Sequence, residues 1–356
     1  MSKSTEGRLT SLDALKGLTM LFIIGLDGVL RSAGAMAAGT SWGRTLRQEM
    51  GHVPWEGLHV YDLIFPLFVF FSGMAMNLSL RRRMSESQSV LRISLHVWIR
   101  AGILVFLGFM VNGTLSWDSG MRYASVLGLI GISGALCSTL AMTLRNTRAL
   151  AITATLLLLS VWLAQHFGGD YTPGNSVNAK IDAMLCPGKL YYGSFDPEGP
   201  LCVVSATALA LLGYLSARLL SSTFGTLKRV LIWGIGGGTL IFLSSFGVII
   251  KNIWTPAFVL ATAGWGCVLM AIFHPCCDIL SRNGWCYPLR VVGYNALFIY
   301  VFTHVTDFNT LITRLFGGIL NNFSGASYAL AWNTAYLLLA WLLCLYLKKR
   351  NICFRI

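Results

Sequence analysis

Long apolar runs separated by short polar stretches recur from one end of the chain to the other, near 14–30, 58–80, 93–113, 123–143, 148–167, 199–222, 227–247, 253–274, 289–305 and 328–347. A helix needs roughly 20 mostly apolar residues to cross about 30 Å of hydrocarbon. The pattern therefore predicts an all-α polytopic membrane bundle of about ten transmembrane helices. Residues 1–356 read as a single transmembrane domain, with two longer loops, 31–57 and 168–198, on one face.

Composition agrees with the pattern. With 55% hydrophobic and 12% charged residues, the chain has too little polar surface for a soluble globule of its length. Alternate loops divide the basic residues unevenly: 18 of the 27 Lys and Arg fall on one side, 8 on the other, and Arg100 lies within the third run. Short basic loops stay cytoplasmic, so both termini are expected inside and the two longer loops outside. The net charge of +13 is then a signature of topology and of contact with anionic lipid, and no nucleic-acid partner is expected. The basic start, first apolar run and small residues Ala33-Gly34-Ala35 also have the form of a secretory signal. Asp27 interrupts that run and the chain downstream is itself apolar, so the segment is read as the first helix. The nine cysteines form no CxxC pair and sit mostly in apolar runs, where Cys behaves as a small hydrophobe. His274, Cys276, Cys277 and Cys286 are irregularly spaced, and no metal is expected.

Projected onto this topology, the polar residues collect toward the outer half. Asp27 lies near the end of the first run, His52 in the following loop, Asp62 at the start of the second run and Arg122 at the start of the fourth. Asp196 and Glu198 lead into the sixth, Lys251-Asn252 joins the seventh and eighth, and Asn295 and His304 lie along the ninth. An ionisable group inside a span costs about 2.5–3.5 kcal/mol and is usually kept for chemistry, a pathway or a partner. A histidine can take a proton from an amine or hydroxyl and return it, while a carboxylate fixes its tautomer. On spacing alone two readings stand level: Asp27 and Asp62 serve His52, or they cap helices and bind Arg122 and Lys251 beside a solvated His52.

Several blocks carry a resemblance. Ser11-Leu12-Asp13-Ala14-Leu15-Lys16-Gly17 has the form S-x-D-x-x-R-G with Lys in place of Arg, and His52 to Pro66 has the form H-x-x-W-x-G-L-x-x-x-D-L-x-F-P. Phe195-Asp196-Pro197-Glu198-Gly199, Lys251-Asn252-Ile253-Trp254-Thr255 and Gly293-Tyr294-Asn295-Ala296-Leu297-Phe298-Ile299-Tyr300 follow in order. Together they resemble the heparan-alpha-glucosaminide N-acetyltransferase family and its bacterial relatives over most of the chain. The resemblance implies transfer of an acetyl group from cytosolic acetyl-CoA to a glucosamine amine on the far side of the membrane. It places the active-site histidine at His52, the block aspartate at Asp62, and the asparagine that assists the histidine at Asp27. That last position departs from the family, because an aspartate can accept a proton or hold an imidazolium and an amide cannot. The stretch from Arg122 to Ile130 also lacks the Gln-Arg pair of the family's R-x-x-G-V-L-Q-R-I segment.

The phosphates of CoA cannot enter hydrocarbon, so Lys16, Arg81, Arg82, Arg83 and Arg100 are the expected donor-binding residues. Arg100 serves equally well as a lipid-headgroup contact. Trp55, Asp196, Glu198, Lys251, Asn252, Asn295 and His304 are the expected acceptor-binding residues, with an amino sugar or glycan as partner. Direct transfer with His52 as general base, and a covalent route through acetyl-His52, both fit. The competing class is a transporter or flippase for a small sugar or lipid-linked glycan, supported by Gly234, Gly236, Gly237 and Gly238 as a possible break in the seventh helix. The expected location is a bacterial cytoplasmic (inner) membrane, with a homodimer as one possible assembly.

Overall fold

The computed structural model describes residues 9–86, 88–113, 120–186, 188–280 and 284–354. Lys3, Arg8, Arg282 and Arg355, four of the basic residues used for orientation, lie outside the described residues. The described chain is helical throughout: α1 Thr10–Leu21, a π-turn Phe22–Leu26, α2 Asp27–Met36, α3 Ser41–Glu49, α4 Val60–Ser85, α5 Val90–Val111, α6 Val126–Leu144 and α7 Thr147–Phe167. Then follow α8 Val177–Leu185, α9 Pro200–Ala217, α10 Thr226–Ser244, α11 Pro256–His274, α12 Tyr287–Tyr294, α13 Ala296–Val305, α14 Phe308–Leu320 and α15 Gly325–Lys349. Nine segments among the described residues are long and apolar enough to cross a bilayer: Thr10–Met36, Val60–Ser85, Val90–Val111, Val126–Leu144, Thr147–Phe167, Pro200–Leu220, Thr226–Ser244, Pro256–Ile279 and Gly325–Lys349.

The remaining predicted span, 289–305, is corrected. It is two short helices that meet at Asn295, whose φ of −128° and ψ of 38° are not helical. The Asn295 amide donates to Ile352 O at 2.9 Å, and its Oδ1 accepts from Phe354 N at 3.0 Å. Such a break is tolerated in an apolar setting because the polar groups at it find partners.

By its contacts the chain divides into two compact units. The first takes the described parts of 1–54, 58–68 and 276–355. The first residue before α1, Leu9, has no capping side chain, and Asp278 supplies the cap from far along the chain, accepting Thr10 N at 2.8 Å and Ser11 N at 3.2 Å. A carboxylate there offsets the positive end of the helix dipole. Gly17 of α1 lies against the backbone of Leu289 in α12; a Cβ on it would come within 1.9 Å of the Leu289 carbonyl oxygen. The glycine of the S-x-D-x-x-R-G block thus permits a close helix crossing. Gly25 has a φ of 134°, which an L side chain rarely adopts, and it opens the π-turn just before Asp27.

The second unit takes the described parts of 55–57 and 69–275. Its helices also meet through small residues. Gly73 of α4 packs on the backbone of Ala210 in α9, and Gly213 of α9 on that of Phe70 in α4. Gly237 and Gly264 place α10 against α11 in the same way. The expected break at Gly234–Gly238 is therefore corrected: α10 runs unbroken through these residues, and Gly237 serves packing.

Candidate active site

In the first unit, the chain from Gly51 to Asp62 turns back on itself around one carboxylate. Asp62 sits in the first turn of α4, with Oδ1 2.7 Å from His52 Nδ1. Its Oδ2 accepts from Val53 N at 3.2 Å and from His59 N at 3.1 Å. The His59 contact is the reciprocal half of a capping box, in which an acidic residue in the first turn reaches back to the entering backbone. His59 Nδ1 bonds the Gly51 carbonyl at 3.0 Å, and Val60 N donates to Glu49 Oε2 at 2.9 Å, which closes the turn further. Capping and histidine-holding, level on sequence alone, are here done by one side chain.

Burial divides the labour within the pair. The Asp62 side chain is 1% exposed and that of His52 51%. A buried acceptor at Nδ1 selects the tautomer protonated there and leaves the lone pair on Nε2. That is the arrangement of a general base oriented from behind.

Asp27 reaches this pair through a residue the sequence had not marked. Its carboxylate accepts hydrogen bonds from the Tyr61 hydroxyl and from the Gly28 backbone, with Arg31 one turn further along. The Tyr61 ring stacks on the His52 imidazole, centroids 4.7 Å apart at 28°. Tyr61 thus holds the face of the ring while Asp62 holds its edge. Beside Asp27, Asn333 of α15 presses on Gly28 and donates to Ser32 Oγ at 2.9 Å.

Asp196 and Glu198 lie in the second unit, and both are engaged by Arg122. The guanidinium donates to Asp196 through Nε and Nη2, each at 2.7 Å, and Nη2 also donates to Glu198. Such a two-point pairing fixes geometry as well as charge. Asp196 is fully buried and Arg122 nearly so. A third carboxylate, Asp182 of α8, accepts Asp196 N at 2.9 Å through Oδ2 and presses its other oxygen against Gly199. Burial pushes Asp182 up to about 6. Burial and then the neighbouring Asp196 charge push Glu198 up to about 7, while hydrogen bonds and charge from Arg122 hold Asp196 below the ordinary carboxylate range. Within this unit, then, Asp196 and Glu198 tie the 168–198 loop to the entry of α6.

The other expected residues are distributed as follows. The Trp55 indole donates to the Tyr171 carbonyl at 2.6 Å and meets Phe195 edge-on at 5.4 Å. Lys251 and Asn252 form a short 3-10 turn whose last carbonyl, that of Ile253, accepts Gln165 Nε2 at 2.8 Å. Asn295 holds the C-terminal tail, and His304 Nδ1 bonds the Tyr300 carbonyl at 2.7 Å. Lys16 lies over the Phe68 ring at 5.8 Å. Arg81, Arg82 and Arg83 close α4; Arg82 pairs with Glu86, and Arg83 lies 2.9 Å from His96, one turn of α5 before Arg100. Arg83, His96 and Arg100 therefore form one basic patch. Tyr61, Asn333 and Gln165 had no sequence signal, because each acts through a partner distant in the chain or on a helix face that periodicity does not single out.

No profile of a known protein family matches the chain. Two curated proteins do. Heparan-alpha-glucosaminide N-acetyltransferase of Mus musculus is 24% identical over 368 aligned residues, which take in 84% of this chain and 54% of that protein. The Homo sapiens protein of the same name is 23% identical, over 83% of this chain and 52% of its own length. The chain thus spans about half the length of the curated relatives it matches. Nine apolar helices among the described residues make it a multi-pass membrane protein, and these two alignments make it a distant relative of the heparan-alpha-glucosaminide N-acetyltransferases.

Proposed function

We propose that this protein is a membrane acetyltransferase that moves an acetyl group from acetyl-CoA to the amine of an amino sugar, with His52 as general base. The observation that carries the reading is the half-exposed imidazole held at Nδ1 by a buried carboxylate, 2.7 Å away, in a chain of which 84% aligns with an acetyltransferase. Nε2 of His52 takes a proton from the acceptor nitrogen as that nitrogen attacks the thioester carbon. The carbon–nitrogen bond forms, the carbon–sulfur bond breaks, and the proton passes from His52 to the departing sulfur. Asp62 stabilises the imidazolium that exists between those two transfers, and Tyr61 keeps the ring from turning.

The donor is offered on the cytosolic side, where the patch of Arg83, His96 and Arg100 suits phosphate groups that stay out of hydrocarbon. The acceptor meets His52 from the other side. The test is mass-spectrometric detection of N-acetylglucosamine from purified protein in detergent given acetyl-CoA and glucosamine. Product formation supports the reading, and its absence from protein that neither acetylates glucosamine nor binds CoA would overturn it.

A further inference from the structure

The second unit by itself builds a cavity of about 430 Å³, within the roughly 300–1,000 Å³ of small-molecule sites. Its lining comes from the ends of three apolar spans: Trp162, His166 and Tyr171 at and just beyond the last turns of α7, residues 245–248 after α10, and residues 255–257 at the start of α11. Glu56 completes it. The spans Thr147–Phe167, Thr226–Ser244 and Pro256–Ile279 all reach their ends here, so the cavity lies at the depth of the lipid headgroups of one leaflet.

Apolar surface continues from the cavity toward the bilayer interior. One turn deeper on the same helices, Leu159 of α7 and Phe242 of α10 are exposed, and Phe242 meets Phe246 edge-on at 5.1 Å. Apolar side chains left uncovered by protein along a span are covered by lipid tails. The walls themselves are held in place from within the unit. Trp162 and His166 stack at 5.1 Å and 7°, and the Trp55 indole fixes the Tyr171 carbonyl at 2.6 Å. Glu56 forms an antiparallel bridge with Ile250, and Gly57 N donates to Ile249 O at 2.9 Å. A site whose walls stand in place beforehand loses little affinity to ordering.

The lining selects the headgroup. Aromatic residues at a membrane boundary are common and need no ligand. Here, however, Glu56 stands among them as the one acid of a lining that includes no Lys or Arg. No described residue supplies its carboxylate with a hydrogen bond or an ion pair. An ionisable group at the edge of apolar spans is kept for a partner, and a carboxylate beside aromatic faces favours an ammonium group. A head of net negative charge would meet a like charge there. A primary ammonium donates N–H bonds to the carboxylate, which a quaternary one cannot do.

From this placement we propose that the cavity binds the ethanolamine headgroup of a membrane phospholipid, with its primary ammonium against Glu56 and the aromatic walls and its acyl chains along α7 and α10. The site belongs to the second unit alone and does not depend on the acetyl-transfer reading. The test is native mass spectrometry of the full chain from detergent, titrated with phosphatidylethanolamine and with phosphatidylglycerol of identical chains. The wild type should bind the ethanolamine lipid about tenfold more tightly than the glycerol lipid. Glu56→Gln, at a position whose bridge is made by backbone, and Trp162→Ala, each with an unchanged thermal midpoint, should reduce that preference to about twofold or less. Equal binding of the two lipids by the wild type, or a preference that survives in either variant, would overturn the proposal. O-phosphoethanolamine, the same head without chains, should leave lipid binding unchanged when added at the lipid's own concentration. Displacement of the lipid under that condition would mark a site for a small soluble amine and overturn the lipid assignment.

Discussion

Asp62→Asn preserves the size of the side chain but replaces an acceptor of three hydrogen bonds, from His52, Val53 and His59, with a group that must present an NH2 in one direction. Either the imidazole tautomer reverses or the turn before α4 loses a bond. The expected outcome is a fall in kcat of about 10²- to 10⁴-fold, the usual span for a positioned proton-transfer group, with a smaller change in the KM for acetyl-CoA. Tyr61 separates two other contributions. Tyr61→Phe keeps the ring on His52 and removes only the bond to Asp27, so a loss within about tenfold is expected, whereas Tyr61→Ala should cost more. Steady-state rates for the two variants check this, and equal losses would remove the stack from the account. At this scale the sequence singled out His52 and Asp62 through their block and Asp27 through its place in the first apolar run. Which aspartate touches the histidine was not legible, because it depends on a turn closed by backbone bonds, and a tyrosine beside a motif aspartate carries no periodic signal.

Between α8 and α9, Asp196 and Glu198 share the Arg122 guanidinium while Asp182 of α8 holds the Asp196 backbone, and the cluster couples this connection to pH. Asp182 and Glu198 hold their protons more tightly folded than unfolded, with values of about 6 and about 7. From the ordinary carboxylate range near 4 up to those values the folded state binds the extra protons, so stability falls as pH rises through that window. Asp196 works in the opposite sense, and its contribution is lost as pH falls below its ordinary range. The thermal midpoint in detergent should therefore decline from about pH 4 to about pH 7, with a shallower decline in Asp182→Asn. Arg122→Ala leaves buried Asp196 without its counter-charge and should cost about 3–5 kcal/mol of stability; a denaturation midpoint equal to wild type would contradict the role given to the cluster. The acidic pair was visible in the sequence as a feature able to attract an amino sugar. Its partner lies more than 70 residues earlier in the chain, a separation at which spacing says nothing.

For the whole molecule, hydropathy was the strongest sequence signal, and it located each of the nine apolar segments to within a few residues at most ends. It missed α3, α8 and α14, which are short and mix polar with apolar positions, so a window of about 20 residues averages them away. It also joined α12 to α13, because Asn295 is one polar residue in an apolar run and its two bonds to the C-terminal tail are not local. Asn295→Ala should release that tail, and trypsin should cut at Lys349 and Arg350 several-fold faster than in the wild type. Hydropathy does not distinguish one membrane activity from another, whereas the ordered blocks along most of the chain resemble those of an acetyltransferase family. The most direct test of the central claim is the rate of acetyl transfer from labelled acetyl-CoA to glucosamine by His52→Ala, compared with wild type at matched CoA binding. The account predicts that transfer falls to background while CoA binding and thermal midpoint are retained; transfer at the wild-type rate would show that His52 is not the base and would contradict it.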